Sequence, residues 1–521
     1  MANLPFKVLD PACGTGGFLV LGMNFCLKEI ENKLRSNEIH ELLFKDLENK
    51  IKEDTFYGID AHDGVACSAK MNMIIAGDGH NNISCADSLK THKLVPNYVF
   101  NSKMYDDGLA HLILTNPPFG TSEEESLNKK DLSQYDIKTS KGQSLFIQKM
   151  ILSSHKSSRI VSVIDEGVLN TVSHFDLRTL IMKECRIEYI LSLPDETFKP
   201  NKINVRSGVL VLLKRESRDE DIEDDYPIKF IRIHSLGYGS AGEEIKGFDL
   251  NRLIGEIESI NIDILSDDAI FEGYNWFGFK VNLSNILNDR GRRFDMRYWN
   301  PITKKKIENL TEGGGCFLIK DINLIETKRG NSPLASEYVS ESEGYALVVK
   351  AGTNISKNGE LLTVGDYIEE GYLKEKYKED MMLKDGDILL ASTGDGTLGK
   401  CCVYRNKDEK SETKPAIADG HVTVIRVNQD EIYPEYLCDY LRKGFGSEQV
   451  NRLFTGSTGL VEIQPDDVNE IVIPPLPTKE TQKAISINLR NIEKEINDII
   501  VKATKELYDA EQEFYSASLP Q

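Results

Sequence analysis

Phe6-Lys7-Val8-Leu9-Asp10-Pro11-Ala12-Cys13-Gly14-Thr15-Gly16-Gly17-Phe18-Leu19-Val20-Leu21 decides the fold of the first half of the chain. It reads as a short strand ending at Asp10, a glycine loop, and a helix that opens with the apolar run from Phe18. The glycines let the backbone pass close to a ligand, and the helix start behind them offers unpaired amide protons. The loop lacks the Lys-Ser/Thr ending of a phosphate-cradling loop and the G-x-G-x-x-G spacing of a dinucleotide loop. Nucleotide phosphate is therefore a poor match. Asp10 at the strand end suits a ligand that carries a positive charge or an amino group. The next strand-like runs, 55–59 and 82–86, are also followed by acids. Asp60 is suited to grip ribose hydroxyls, as an acid does in doubly wound folds, and Asp87 to reach an adenine amino group. Each acid alone also reads as a solvated turn residue; together they outline one cofactor.

Working outward, Asn116-Pro117-Pro118-Phe119 follows the apolar run 109–114, which reads as a buried parallel strand. The carboxyl ends of such strands are where open α/β sheets bind ligands. The Asn116 amide oxygen and the Pro117 carbonyl can both accept hydrogen bonds from one exocyclic amino group. Phe119 offers an aromatic face for a planar base, a contact of roughly 1–3 kcal/mol. Asn and Pro also make ordinary turns. The glycine loop upstream is what turns the tetrapeptide into a candidate site for an amino group on a ring.

Composition sets the outer bounds. A chain of 521 residues is too long for one core, so two or three domains are expected. It has 63 basic and 83 acidic side chains, a net charge of −20, which argues against general adhesion to nucleic acid but not against a local basic groove. The nine cysteines are scattered and odd in number, and Cys401 and Cys402 are adjacent, a pattern that suits neither disulfides nor a zinc site. Cys13 reads equally as a thiol facing the ligand and as a small residue packed under the glycines. With no apolar run of membrane-spanning length and no signal-peptide pattern, a reducing cytoplasm is the expected location. The histidines show no paired ligand pattern, and no metal is expected. Neither an acidic metal pair followed by Lys nor a Walker loop is evident, so a nuclease or translocase activity would need other subunits.

With these residues in view, the first half resembles the amino-group DNA methyltransferases, and within them the modification subunits of type I restriction-modification systems. The resemblance rests on the segment 10–19 and on Asn116-Pro117-Pro118-Phe119, in that order. It continues more loosely through Met71-Asn72-Met73, Asp87-Ser88-Leu89, Ser144-Leu145-Phe146-Ile147 and Leu193-Pro194-Asp195-Glu196-Thr197-Phe198. It implies S-adenosylmethionine as cofactor, held by Asp10, Pro11, Ala12, Cys13, Gly14, Thr15, Gly16 and Gly17 with Asp60 and Asp87. It also implies that Asn116, Pro117, Pro118 and Phe119 act on N6 of an adenine flipped out of double-stranded DNA, with cytosine N4 the competing acceptor. Seven strand-like runs, 6–10, 56–60, 82–86, 109–115, 159–165, 187–193 and 207–214, fit a Rossmann-like α/β methyltransferase sheet. The resemblance implies that the seventh strand is antiparallel. It further implies a helical region and another cofactor-contacting motif ahead of the glycine loop, so either a second polypeptide supplies them or cofactor binding is weak.

The charged run 216–225 closes the catalytic domain at residue 215, and 216–285 reads as a connector, with short strand-like and helical pieces from 226 to about 285 that bridge the two halves. From 286 to 477 the chain resembles the target-recognition domain of type I specificity subunits, an α+β module that binds double-stranded DNA. The matching pieces are the segments 293–298, 383–390, 392–394, 398–400 and 471–477. Candidate DNA contacts are Arg293, Lys328, Arg329, Thr393, Lys400 and His421, with Asn331, Asp395, Thr397, Thr455 and Ser457 on neighbouring loops. His421 also reads as a structural residue ahead of the strand 422–427. Arg290, Arg292, Arg293 and Arg297, then Lys304, Lys305 and Lys306, form two basic clusters suited to phosphates or to a solvated face. Past Pro477, Ile485, Leu489, Ile492, Ile496, Ile499, Ala503, Leu507, Ala510 and Phe514 recur by threes and fours. That spacing predicts a long coiled-coil helix over 478–521 that pairs with a second copy or another restriction-modification subunit, or packs on its own domain.

These readings converge on a site-specific DNA methyltransferase acting on adenine N6, fused to a recognition module. Two other classes stay open. One is a DNA-binding specificity protein whose methyltransferase half is an inactive scaffold, and the other is a methyltransferase acting on RNA or protein.

Overall fold

A computed structural model describes residues 6–77, 82–90, 110–123, 126–203, 205–216, 225–259, 269–312, 317–321, 325–408, 411–412, 414–457, 459 and 461–518. The chain forms two compact units, Met1–Pro301 with Gly456–Thr458, and Ile302–Thr455 with Gly459–Gln521.

The first unit alternates strands and helices in its leading part: β1 (Val8–Asp10), α1 (Gly17–Arg35), α2 (Glu41–Asp54), β2 (Phe56–Asp60), α3 (Asp63–Ile75), β3 (Ile83–Cys85) and β4 (Ala110–Thr115). It continues with α4 (Lys129–Leu132), α5 (Gly142–Ser153), β5 (Ser154–Asp165), α6 (Glu166–Asn170), α7 (Phe175–Glu184), β6 (Cys185–Ser192) and β7 (Ser207–Lys214). Then come β8 (Pro227–Ile233), α8 (Leu250–Ser259), β9 (Phe271–Gly273) and β10 (Trp276–Asn282). All ten strands share one sheet in the order β3-β2-β1-β4-β5-β7-β6-β8-β10-β9. The expected α/β sheet is present, each of the seven expected runs contains a strand, and β7 is antiparallel to both its neighbours. Leu109, the first residue of the fourth expected run, lies outside the described residues.

The register explains the sequence pattern. Along β1 and β2, Val8 and Phe56 pack into one apolar cluster with Leu19, Met23, Ala69 and Met73, whereas Leu9 and Tyr57 join the opposite cluster with Ile113, Leu145 and Met150. Alternate side chains of a strand face opposite sides of a sheet, so helices cover both faces here, and β4 carries apolar residues in succession rather than in alternation. The chain passes from β1 outward to β2 and returns on the other side as β4, with β1 and β4 parallel neighbours. The carboxyl ends of β1 and β4 thus flank a topological switch point, where α/β sheets open a crevice.

Two sequence boundaries move. The stretch 216–285, read as a connector, contributes β8, β9 and β10 to the same sheet, β8 pairing in parallel with β6. Of the charged run that masked this continuity, 217–224 lie outside the described residues. Residues 286–301, read as the opening of the recognition domain, belong to the first unit because Ile286, Phe294 and Met296 complete its core.

The second unit is α+β. A four-stranded antiparallel sheet orders Ile325–Arg329, Val422–Val427, Ile388–Ala391 and Cys401–Val403, and a three-stranded sheet orders Tyr367–Ile368, Ala346–Val349 and Ala416–Ala418. Leu347, Val349, Leu389, Cys402 and Val424 form one shared core. The expected C-terminal helix spans Lys479–Ser518. Its first turns are rooted by buried polar contacts: Ser486 Oγ donates to Asp439, and Arg490 donates to the same carboxylate at 3.0 and 3.1 Å. Further along, Ile492, Ile496, Ile499, Leu507 and Phe514 are exposed. No described helix is long and apolar enough to cross a membrane.

Candidate active site

The loop after β1 is built to hold one shape. Gly14 and Gly16 have φ of 55° and 84°, the left-handed region that side chains disfavour. Its backbone is held by elements from across the unit. Gly14 N donates to Asp60 at 3.1 Å, Cys13 N to the Ile59 carbonyl at 2.9 Å, Ser88 Oγ to the Pro11 carbonyl at 2.5 Å and Asn72 Nδ2 to the Thr15 carbonyl at 2.9 Å. Cys13 packs beneath it: a Cβ on Gly58 would lie 3.0 Å from its sulfur and 2.7 Å from both Leu19 and Ile83. Burial, then the nearby Asp10 and Asp60 carboxylates, push the Cys13 thiol up to about 12. Of the two readings of Cys13, packing is the one this geometry supports.

Asp10 ends β1 with 1% of its surface exposed. It accepts from Thr115 Oγ1 at 2.6 Å and from Ala12 N at 3.1 Å. Burial raises its carboxyl to about 7, against the lowering effect of these two hydrogen bonds, and the charge of Asp60 adds to the rise. Asp60 holds Gly14 N and His62 N, while Asp87 accepts from Leu89 N and sits 3.4 Å from Lys90.

Asn116 follows Thr115 directly. Its Oδ1 is shut off from solvent and has no hydrogen-bond partner among the described residues. An amide oxygen sealed in this way is destabilising unless a donor reaches it. Pro117 is buried and Pro118 exposed. Gln143, at the start of α5, donates from Nε2 to the Pro118 carbonyl at 2.9 Å and more weakly to the Pro117 carbonyl at 3.5 Å. Phe119 meets the edge of Phe198 in a T-shaped pair, centroids 5.4 Å apart at 68°. A cavity of about 380 Å³ is lined by Asp10, Ala12, Cys13, Gly14, Thr15, Gly17, Phe18, Leu21 and Asn116, so the two sequence-predicted loops share one space. Its described lining contains carboxylate, amide and apolar groups and neither Lys nor Arg, which suits a ligand with a cationic or amino group and not a phosphate.

Residue-type reasoning passed over the roles of Thr115, Ser88, Asn72, Gln143 and Phe198. Ser88, Asn72 and Phe198 lie in segments that carry the family resemblance, which was their only signal; Thr115 and Gln143 had none.

The candidates for DNA contact fare unevenly. Arg293 is corrected: it is 5% exposed, paired bidentately with the fully buried Asp295 at 2.7 and 2.8 Å, and stacked over Tyr298. Its neighbours are also engaged internally. Arg292 bonds Thr179 and covers Phe175, and the buried Arg178 side chain clasps the carbonyls of Gly291 and Arg292. In the second unit Arg329, Thr393 and His421 come together around Glu462. Arg329 donates to that carboxylate at 2.7 Å, Thr393 and Thr455 each form a bridge with residue 462, and Thr393 Oγ1 shares a 2.8 Å hydrogen bond with His421 Nδ1. Lys328 instead donates to the Asp380 carbonyl, and Lys400 closes the turn from Thr397.

Residues 3–246 match the N-6 DNA Methylase family. Among curated proteins, the chain is 25% identical over 277 residues to the type II restriction enzyme and methyltransferase RM.BcgI of Heyndrickxia coagulans, covering 52% of this chain and 38% of that protein. It is 25% identical over 262 residues to the type I restriction enzyme EcoKI methylase subunit of Escherichia coli K12, covering 48% and 45%. The chain thus spans less than half the length of these relatives. Among solved structures it is similar to the EcoKI M protein, at 24% identity over 46% of each chain with a TM-score of 0.34.

Proposed function

We propose that this chain, whose residues 3–246 match the N-6 DNA Methylase family, transfers a methyl group from S-adenosylmethionine to adenine N6 at a specific DNA site within a restriction-modification system. The observation that carries the reading is the buried Asn116 Oδ1, without a partner among the described residues, on a residue that lines one cavity with Asp10 and the glycine loop.

S-adenosylmethionine, when bound, supplies a methyl group on a positively charged sulfur that leaves as a neutral thioether. The segment 10–17 holds it, the Asp10 carboxylate complementing its positive charge and Asp60 and Asp87 taking its ribose and adenine ends. Asn116 Oδ1 and the Pro117 carbonyl accept hydrogen bonds from the two N–H groups of the target amino group, which turns its lone pair toward the methyl carbon; the N–C bond forms as the C–S bond breaks, and the methylated nitrogen then releases one proton to solvent. Gln143 holds the Pro118 carbonyl, so the turn keeps its shape as the base enters. Phe119 stacks on the base, and Phe198, edge-on to Phe119, holds that ring in place.

The α+β second unit acts in this reading as the target-recognition module, with Arg329, Thr393 and His421 facing DNA and Lys328 and Lys400 as further contacts. The exposed apolar seam of the helix Lys479–Ser518 pairs with a second copy or with another subunit.

The test is methyl transfer from radiolabelled S-adenosylmethionine to genomic DNA by the purified chain, with modified sites mapped by single-molecule sequencing. N6-methyladenine at a fixed motif is expected. Asn116→Ala should lower turnover about a hundredfold or more and leave cofactor affinity within about threefold of wild type, because the residue's lost acceptor faces the base. Sequence-specific DNA binding without cofactor binding would favour the specificity-scaffold reading instead.

A further inference from the structure

We propose that Thr115 is a positioning residue for methyl transfer, its hydroxyl pinning the first residue of the catalytic loop's strand end to the first residue of the cofactor loop. The proposal rests on the methyltransferase reading above. β1 and β4 lie side by side and parallel, Val8 opposite Leu112 and Leu9 opposite Ile113. Each strand then ends in a polar residue, Asp10 and Thr115, and each of these residues is 1% exposed. The pairing of β1 with β4 ends at Leu9 and Ile113, so Asp10 and Thr115 follow its last backbone pair, and the glycine loop and Asn116 follow them in turn. The Thr115 Oγ1 to Asp10 hydrogen bond of 2.6 Å lies at this fork.

Packing alone does not call for a hydroxyl here. Valine fills nearly the same volume and suits a buried strand, whereas a buried hydroxyl is tolerated only when paired. The hydroxyl has a carboxylate for its partner, and hydrogen bonds to charged groups are about twice as strong as neutral ones. The same carboxylate lines the cavity with Asn116. Thr115 itself is not part of the cavity's described lining; it sets where Asp10 and Asn116 stand relative to one another. Displacement of reacting groups by about 1 Å is enough to lower a rate about a hundredfold.

A second consequence is electrostatic. The Thr115 hydrogen bond lowers the Asp10 pKa, while burial and the neighbouring Asp60 carboxylate raise it, and Cys13 beside it stays a neutral thiol. Removing the hydroxyl pushes Asp10 further up, so the ionised form that attracts a cationic cofactor appears only at higher pH.

The experiment compares the wild-type chain with Thr115→Val and Thr115→Ser, measuring kcat and KM for DNA methylation and S-adenosylmethionine affinity from pH 6 to 9, with circular dichroism to check folding. We expect Thr115→Val to lower kcat about 10- to 100-fold with KM for DNA within about threefold, and to move the midpoint of cofactor binding to higher pH. Thr115→Ser, which keeps the hydroxyl, should restore both. Wild-type kcat and an unmoved midpoint in Thr115→Val would overturn the proposal, as would a Ser variant as impaired as the Val variant. A wild-type chain that binds the cofactor but transfers no methyl would refute the proposed function, while the binding midpoint would still report on the Thr115–Asp10 link. A wild-type chain that binds no cofactor would overturn both.

Discussion

Asn116 in the first unit and Asp439 in the second both place side-chain oxygens beyond the reach of solvent, and the fold treats them in opposite ways. Asn116 Oδ1 has no partner among the described residues. The Asp439 carboxylate accepts from Arg442 Nε at 2.9 Å, from Arg490 and from Ser486, tying the helix Pro434–Arg442 to the first turns of Lys479–Ser518. Where a polar atom serves architecture, it is surrounded by donors; where it is kept for a ligand, the donor is withheld and some stability is given up. The same contrast separates the candidate sites. The cavity beside β1 and β4 has an unmet acceptor, whereas Thr393 and His421 already satisfy one another.

The sharpest way to break this comparison is to truncate both residues and measure stability. Asp439→Ala leaves the buried Arg442 guanidinium with Glu493 as its one carboxylate partner among the described residues and removes the carboxylate that Ser486 and Arg490 bond. We expect a loss of about 3–5 kcal/mol in denaturant unfolding of the second unit. Asn116→Ala, which removes an oxygen with no partner among the described residues, should change the stability of the first unit by less than about 1 kcal/mol. Equal losses would show that Asn116 is an ordinary structural residue.

The contrast also explains what the sequence could disclose. The strand, glycine loop and helix of 6–21 are contiguous, and the constraints on them are local: positive φ at Gly14 and Gly16, and an acid at a strand end. The side chains that hold the loop come from 57 residues away at Asn72, 77 at Ser88 and, for Asp10, 105 at Thr115. No window of sequence contains both partners of such a bond. Arg293 failed for a different reason. A cluster of arginines reads as a cationic surface, yet Asp295 stands two residues on, and Phe294 between them is buried with its N–H bonded to the Leu169 carbonyl at 2.8 Å. The Arg-Phe-Asp triplet was the available sign of an internal pair. The strand-like pieces that become β8 to β10 read as a connector and not as part of the sheet because a charged run interrupts the apolar pattern before them, although Pro227–Ile233 pairs with β6 as regularly as the earlier strands do.

A smaller effect is expected at Gln143, which combines the two treatments. Its Nε2 is bonded to the Pro118 carbonyl, while its Oε1 is buried without a partner among the described residues. Gln143→Leu keeps the volume and leaves that carbonyl without the donor. We expect about 1–2 kcal/mol of lost stability and a fall in kcat of about tenfold as the catalytic loop loosens, with cofactor affinity held. A drop in cofactor affinity as large as the drop in kcat would mean that α5 supports the cofactor loop rather than the catalytic one.

The mildest test falls on Arg329, which lies between the extremes within the second unit. One arm of its guanidinium bonds Glu462 at 2.7 Å and the Ile463 carbonyl at 2.9 Å, while Nη1 is buried with no partner among the described residues. Glu462 is substantially exposed, so the pair is screened by water and contributes little. Arg329→Ala should therefore cost less than about 1 kcal/mol in unfolding of the second unit. If Arg329 exchanges these internal partners for DNA, the same variant should weaken binding to a duplex carrying the methylated motif by about 1–3 kcal/mol, roughly 5- to 150-fold, in fluorescence anisotropy. Loss confined to that motif would make Arg329 a base contact, and an equal loss on all sequences with a shallower salt dependence would make it a phosphate contact. Unchanged binding with the small stability loss would place Arg329 with Asp439, among the side chains whose partners are all their own.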